Sequence, residues 1–348
     1  MNKPQNRLKK LPKVDLHLHL DGSVLPETLI ELAKHSGSEL PAWEPEKLLP
    51  YMRVEGDCDS LAQYLEKFDF VCAFLQSAHA LERVAYELVK QCAEQNCRYI
   101  EVRYAPQLHR EQGLTVEQTI ESVLRGLAAG ESEFGTVARC IAICLRGHSR
   151  EQNLEVIHGA SAYLGRGIVA VDLAGAEAAY PPELYTAEFA LAGKLGLPVT
   201  IHAGEAAGAE SVETAVLKLG ASRIGHGVRM KGDAEVTELI RSRGIPLEMC
   251  PISNLQTKAS PDWDSYPLRG YFDAGIRVTV NTDNLTVSGT TITKEYEALR
   301  DHLAFTDAEL CAIVMNGAEA AFLFGEEKRS LCAKLAEELN DWLTETVS

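Results

Sequence analysis

The chain of 348 residues is 46% hydrophobic, enough to bury a large core, and its net charge of −16 leaves few cations with which to grip a polyanion such as nucleic acid. Nine cysteines without a CxxC pair point to reduced thiols in a cytoplasmic protein, and no stretch approaches the roughly 18 uninterrupted apolar residues of a membrane helix. A small neutral or weakly charged molecule is the better partner for such a surface.

The polar, basic opening Met1–Lys10 has no apolar run behind it and reads as neither signal peptide nor anchor. Short apolar runs then recur at Val14–Leu20, Tyr99–Tyr104, Ala138–Leu145, Ile168–Leu173, Val199–His202, Arg223–Val228, Ile245–Cys250 and Ile276–Val280. Most are rich in Val and Ile, as buried parallel strands are. Helical spacing lies between them, at Ala80–Cys92, Val116–Gly130, Leu184–Leu195 and Ala234–Arg243, and Gly196, Gly244 and Gly275 close several helices just before the next strand. The segment Trp43–Leu75 is longer than a simple crossover. It carries Leu61, Tyr64, Leu65 and Phe68 at helical spacing, a stripe that either packs on the body or lies over a site as an apolar lid.

Strands alternating with helices make an open doubly wound sheet or a closed barrel. No glycine-rich phosphate fingerprint follows the first strand, as an open dinucleotide-binding sheet would require. Polar residues instead gather at many strand ends: His17/His19, Arg103, Asp172, His202–Glu205, His226, Ser253–Asn254 and Asp283–Asn284. In an open sheet such ends lie too far apart to share a site, whereas a barrel brings them to one mouth. The expected fold is therefore a single α/β domain over 1–348, a (β/α)₈ TIM barrel with an apolar helical lid at about 43–75 inserted after strand 1.

His17 and His19 stand two apart on the first strand, so both rings face the same way. Alone, the pair is as well read as two packed core histidines. His202 adds a third imidazole, and Asp283 adds a carboxylate on the strand that closes the barrel beside the first. Three imidazoles, one carboxylate and an open position suit one catalytic Zn²⁺ per chain. Such an ion lowers the pKa of its water towards 7. Hydrolysis at such an ion then needs a group to manage the water's proton and one to give a proton to the substrate. His226, between Gly225 and Gly227, suits the first task, although it could equally be a further ligand or a core histidine. Glu205 suits the second, or could orient a histidine. Cys250, followed by Pro251, reads as a small buried hydrophobe. His35, His79, His109, His148, His158 and His302 lie off the strand ends and read as surface or packing residues.

The stretches KVDLHLHLDGS (Lys13–Ser23), IEVRYAPQLH (Ile100–His109), AVDLAGAE (Ala170–Glu177), IHAGE (Ile201–Glu205), RIGHGV (Arg223–Val228), CPISNLQT (Cys250–Thr257) and NTDN (Asn281–Asn284) resemble, in order and spacing, those of the adenosine deaminases. The resemblance implies that His17, His19, His202 and Asp283 are zinc ligands. It also implies that Glu205 protonates purine N1, that His226 orients and deprotonates the zinc-bound water, and that Asp283 holds this water from the other side. His19 and Asp21 would touch the substrate, Asp21 through a ribose hydroxyl, and the backbone N–H of Gly175 would meet N3, where a side chain would block approach. Leu61, Tyr64, Leu65 and Phe68 would form a hydrophobic gate. Asn284 departs from the pattern, standing where many members carry aspartate, and its amide could donate to N7 directly. The implied reaction is hydrolytic deamination of adenosine and 2′-deoxyadenosine. A monomer is expected on a separate ground, since the sequence shows no obvious extra apolar face. Free adenine or aminofutalosine is the alternative substrate. A two-metal barrel hydrolase is less consistent, because strand four ends in Asp172–Leu173–Ala174–Gly175 without the bridging lysine that such sites commonly use. A non-catalytic binding member would be expected to have lost the ligands or the acid.

Overall fold

Eight parallel strands form at the eight apolar runs: β1 (Lys13–His19), β2 (Cys97–Tyr104), β3 (Val137–Leu145), β4 (Ile168–Ala174), β5 (Thr200–Ala203), β6 (Arg223–His226), β7 (Leu247–Met249) and β8 (Val278–Val280). The computed structural model describes residues 3–54 and 61–345, with side chains over 7–54 and 64–345. The strands pair in chain order as two four-stranded sheets, β1 to β4 and β5 to β8. Single bridges join them, Val171 to Val199 on one side and Leu18 to Asp283 on the other. At the second seam His19 N–H donates to Asp283 O at 2.7 Å and Asp283 N–H to His17 O at 2.8 Å. The ring that results is the expected barrel, and its seam sets Asp283 beside both histidines of β1.

The last three strands are shorter than the apolar runs suggest. β6 stops at His226 because His226 and Gly227 both take positive φ, 66° and 71°, which no strand tolerates. Pro246 has no N–H for the ladder, and Pro251 opens a short helix, Pro251–Gln256, so only Leu247–Met249 remains extended. The helices fall where the periodicity puts them, at Ala78–Ala93, Val116–Phe134, Thr186–Lys194 and Ala234–Arg243. The longest of these four begins with a reciprocal cap, Thr115 accepting from Gln118 N–H while the Gln118 side chain accepts from Thr115 N–H. One cluster of buried apolar side chains runs from Leu8 to Trp342. Among the described residues no helix is long and apolar enough to cross a membrane, and all eight described cysteines are free thiols.

Inside the barrel, beneath the mouth, lies an ionic layer. Arg103 on β2 binds Asp172 and Glu248 at 2.8 Å each, and Arg223 on β6 binds Glu248 at 2.6 Å and Glu101 at 2.5 Å. All five side chains are buried. Removing one member of such a network leaves the others charged without compensation. Arg103→Met is therefore expected to lower unfolding free energy by about 3–5 kcal/mol in urea titration of the metal-free protein; a loss below about 1 kcal/mol would mean that the layer is not needed for stability.

Candidate metal and active site

The layer's carboxylates reach up to the strand-end histidines. Glu248 sits 2.8 Å from Nδ1 of His17, and Asp172 sits 2.9 Å from Nδ1 of His202. Burial acts to raise both acids, but Arg103 outweighs it for Glu248, aided by Arg223, and His202 and Arg103 outweigh it for Asp172, so both lie below the usual carboxylate range. An ionised carboxylate can only accept, so each Nδ1 donates and each Nε2 turns a lone pair inward. Nε2 of His17 is buried with no hydrogen-bond partner. Nε2 of His202 faces Nε2 of His19 at 3.3 Å, and Oδ1 of Asp283 lies 3.3 Å from His19 Nε2 and 3.5 Å from His17 Nε2.

Burial favours the neutral form of the two rings on β1. It lowers the pKa of His17 to about 4, with Arg103 helping, and that of His19 well below the ordinary value. For His202 the neighbouring Asp172 outweighs burial and the pKa rises, which tightens the Nδ1–H bond. Burial opposes the Asp283 charge, yet His17 and His19 hold its carboxyl well below the usual range. Three imidazoles and one carboxylate converging in this way fit a divalent cation; N and O donors without thiolate suit catalytic zinc. The ligand atoms of His17, His19 and His202 lie within 4.8 Å of one another, as do those of His17, His226 and Asp283. The second grouping leaves His226 geometrically able to ligate.

Two further groups flank this centre. His226 Nδ1 lies 2.9 Å from the amide nitrogen of Asn254, and its Nε2 lies 3.6 Å from Glu205. The Asn254 oxygen accepts from Cys250 N–H and from the Tyr266 hydroxyl, which fixes the amide so that its NH₂ faces His226. His226 Nδ1 must then accept, and the neutral ring carries its proton on Nε2. Burial raises the pKa of Glu205, with Asp283 and Glu177 adding to the rise and His226 and His202 opposing it. Asp283 accepts on Oδ2 from the Ser253 hydroxyl at 2.5 Å. His226 and Asp283 both take positive φ, 66° and 60°, so the backbone is bent out of the strand where it delivers these side chains.

All of this opens into a cavity of about 320 Å³. Asp21, Gly175, Asn284, Tyr64, Leu65 and Phe68 line it beside His19, His202, Glu205, His226 and Asp283. The expected residues are thus brought together, except that the side chain of Leu61 lies outside the described residues. The other gate positions come from a helix, Leu61–Cys72, set over the mouth, with the Phe68 ring 6.2 Å from that of His19. The rest of the Trp43–Leu75 segment packs on the body through residues such as Leu48, Met52 and Leu75. Burial raises Asp21 to about 6. Gly175 has φ 106°, and a Cβ there would meet Arg146 only at ordinary contact distance, so within the protein the backbone conformation demands glycine. The Asn284 NH₂ donates one hydrogen to the Tyr64 hydroxyl at 2.8 Å, which fixes the amide and leaves its second N–H as the donor expected to meet N7. Its Oδ1 lies against Gly22, where a Cβ would sit 1.8 Å away, which explains that glycine.

Three wall residues escaped the sequence reading. His148, read as surface or packing, lines the cavity with Nδ1 buried and unpartnered, and Arg146 and Asp69 also face it. Arg146 and His148 follow the end of β3 directly, the same position relative to a strand as the residues that were recognised. His109 does pack: it is buried, with Nδ1 3.0 Å from Leu75 O. A larger hollow of about 870 Å³ lies beside β3 and β4 but contains no histidine or cysteine, so the chemistry belongs to the smaller one.

Comparison with known proteins agrees with this geometry. The family model for adenosine deaminase matches residues 12–338. An adenosine deaminase of Clostridium botulinum (strain Okra / Type B1) is 41% identical over 329 residues, covering 94% of this chain and 98% of the relative. Among solved structures, an adenine deaminase from Arthrobacter aurescens superposes with a TM-score of 0.86 at 28% identity, over 96% of this chain and 99% of that one. A cog1816 amidohydrolase from Burkhoderia ambifaria, with bound Zn, gives 0.90 at 25% identity, over 99% and 95%.

Proposed function

This chain belongs to the adenosine deaminase family, and from that premise we propose that His17, His19, His202 and Asp283 hold one Zn²⁺ at which Glu205 and His226 carry out the proton chemistry. The enzyme is a hydrolase acting on the purine 6-amino group, converting adenosine and 2′-deoxyadenosine to the 6-oxo nucleoside and ammonia. The observation that carries the site assignment is the meeting of three imidazoles from β1 and β5 with a carboxylate from just beyond β8, around a buried His17 Nε2 that has no hydrogen-bond partner.

When bound, the ion supplies Lewis acidity that makes water a nucleophile near neutral pH. The protein's own groups do the rest. Glu205, buried and with its pKa raised by that burial, gives a proton to N1, which makes C6 open to attack. His226 donates through Nε2 and orients the attacking water. Taking that water's proton as well needs the other tautomer, with Asn254 turned over and its bonds to Cys250 and Tyr266 surrendered. Asp283, fixed by Ser253, faces the same water from the other side. The Gly175 N–H meets N3, and Asp21 accepts from a ribose hydroxyl. Tyr64, Leu65 and Phe68 keep bulk water from the reacting edge. A cytoplasmic monomer fits the acidic surface and the free thiols.

A substrate with a 5′-phosphate is poorly matched. Arg146 is the one guanidinium lining the cavity among the described residues, and it is committed to the carbonyls of Tyr180 and His202, while Asp21 and Asp69 place carboxylates on the wall. The test is kcat/KM of the zinc-loaded enzyme for adenosine, 2′-deoxyadenosine, adenine and aminofutalosine. The nucleosides are expected to exceed adenine by about a hundredfold or more, since a carboxylate placed for a ribose hydroxyl is left unpaired by the free base. Faster turnover of adenine or aminofutalosine would move the assignment to that substrate.

A further inference from the structure

Glu177 stands just beyond β4 and, apart from its charge acting on Glu205, has no role in the chemistry above. Its carboxylate is 2% exposed and reaches across to the loop that follows β5. There it accepts from the N–H groups of Gly204 (2.7 Å), Glu205 (3.1 Å), Ala206 (2.7 Å) and Ala207 (2.9 Å), and from the Ser211 hydroxyl (2.5 Å). Four consecutive backbone donors converge on one anion only where the chain curls around it, so this turn is a cradle for a carboxylate. On its other side the Gly204 carbonyl accepts from Arg229 N–H at 2.7 Å, which leaves the turn little freedom. Burial works against the Glu177 charge, but Ser211 and the amides of Ala207 and Ala206 outweigh it and keep the carboxyl below its ordinary pKa. The acceptor in the cradle is therefore an ionised one, and its bonds are charge-assisted.

The two ends of this clasp matter together. Glu177 lies two residues after Gly175, whose N–H is assigned to N3, and the cradle contains Glu205, assigned to N1. N1 and N3 flank C2 in the six-membered ring of the purine. A single buried carboxylate thus ties together the two loops assigned to those two nitrogens.

We propose that Glu177 is the positioning residue for Glu205, fixing the 204–207 turn so that the Glu205 carboxyl meets purine N1. The proposal rests on the reading of Glu205 as the acid. The competing account is a tether that stabilises the loop without bearing on chemistry, and it predicts a loss of stability alone. Because a misplacement of about 1 Å can slow a reaction about a hundredfold, Glu177→Gln, which sets an NH₂ group against backbone donors, is expected to lower kcat by about tenfold to a hundredfold. KM should stay within about threefold, because substrate binding is shared among other groups.

The deciding measurement is a double-mutant cycle on zinc-loaded enzyme, with metal content checked by elemental analysis. If Glu177 acts through Glu205, the Glu177→Gln/Glu205→Gln double variant turns over no more slowly than Glu205→Gln alone. Effects that multiply, or a Glu177→Gln enzyme with wild-type kcat, would overturn the proposal. Full turnover in Glu205→Gln would instead remove the underlying acid assignment, so the two failures are distinguishable. Should Glu177→Gln not fold, Ser211→Ala removes one donor of the clasp and leaves the carboxylate in place. It is expected to lower kcat by about twofold to fivefold with KM unchanged, again only when Glu205 is present; an unchanged kcat there would count equally against the idea.

Discussion

Glu205→Gln is expected to retain its zinc and its affinity for nucleoside while turnover falls by about 10²–10⁴, the contribution of a positioned general acid. Glutamine matches glutamate in shape, and its NH₂ can still donate to N1, so binding survives. It has no proton to give up. Without that proton N1 cannot accept the electron density displaced when C6 is attacked, and the barrier rises. The pH dependence of the wild type should carry the same signature. Burial, Asp283 and Glu177 raise the Glu205 pKa, so the carboxyl keeps its proton above the ordinary glutamate range. As the pH climbs through that raised value the proton is lost, and kcat should fall on the alkaline side. In Glu205→Gln that limb should vanish. Stopped-flow turnover, elemental analysis and equilibrium binding of the product measure the three quantities separately. A variant with near-normal kcat would end the acid assignment.

Much of this site was legible because the proposed ligands fall at or just past strand ends, where one-dimensional patterns are strongest. His17 and His19 alternate on β1, Glu205 follows His202 by three residues, and Asp283 comes three residues after the last apolar run. The supporting shell was not legible in that way. Glu248 meets His17 from 231 residues away, and nothing in the Leu247–Met249 run marks it as more than a strand residue. Asp172 and Arg103 were visible as polar strand ends, but their pairing depends on which strands face each other across the interior. Backbone conformation was equally hidden. His226 and Asp283 adopt positive φ without being glycine, so the sequence extends β6 by two residues that the structure removes. The Asn284–Tyr64 bond joins residues from opposite ends of the chain, and side-chain chemistry alone suggested a free amide. Arg146 and His148 are different: they lie just past a strand end, and the same rule that found Glu205 could have found them.

His202→Ala is expected to abolish bound zinc and, with it, turnover. The reason lies in how His202 is held. Its Nδ1 is fixed by Asp172, itself fixed by Arg103, so the ring is held with Nε2 towards the centre. Alanine removes one of the four proposed donors and leaves a buried gap on the side where His202 stood, beside the Asp172 carboxylate that loses this partner. The loss can be told from general damage by its thermal signature. A ligand that binds only the folded state stabilises it by about 4 kcal/mol at a thousandfold excess over its Kd. For a chain longer than about 150 residues that is on the order of 10 °C in Tm. Chelation should therefore lower the Tm of the wild type, and zinc should restore both Tm and turnover. The Tm of His202→Ala should not respond to either treatment. If that variant still held one equivalent of zinc by elemental analysis, or still lost stability on chelation, the ion would be bound by a different set of residues. The roles given to Glu205 and His226 would then have no centre to flank.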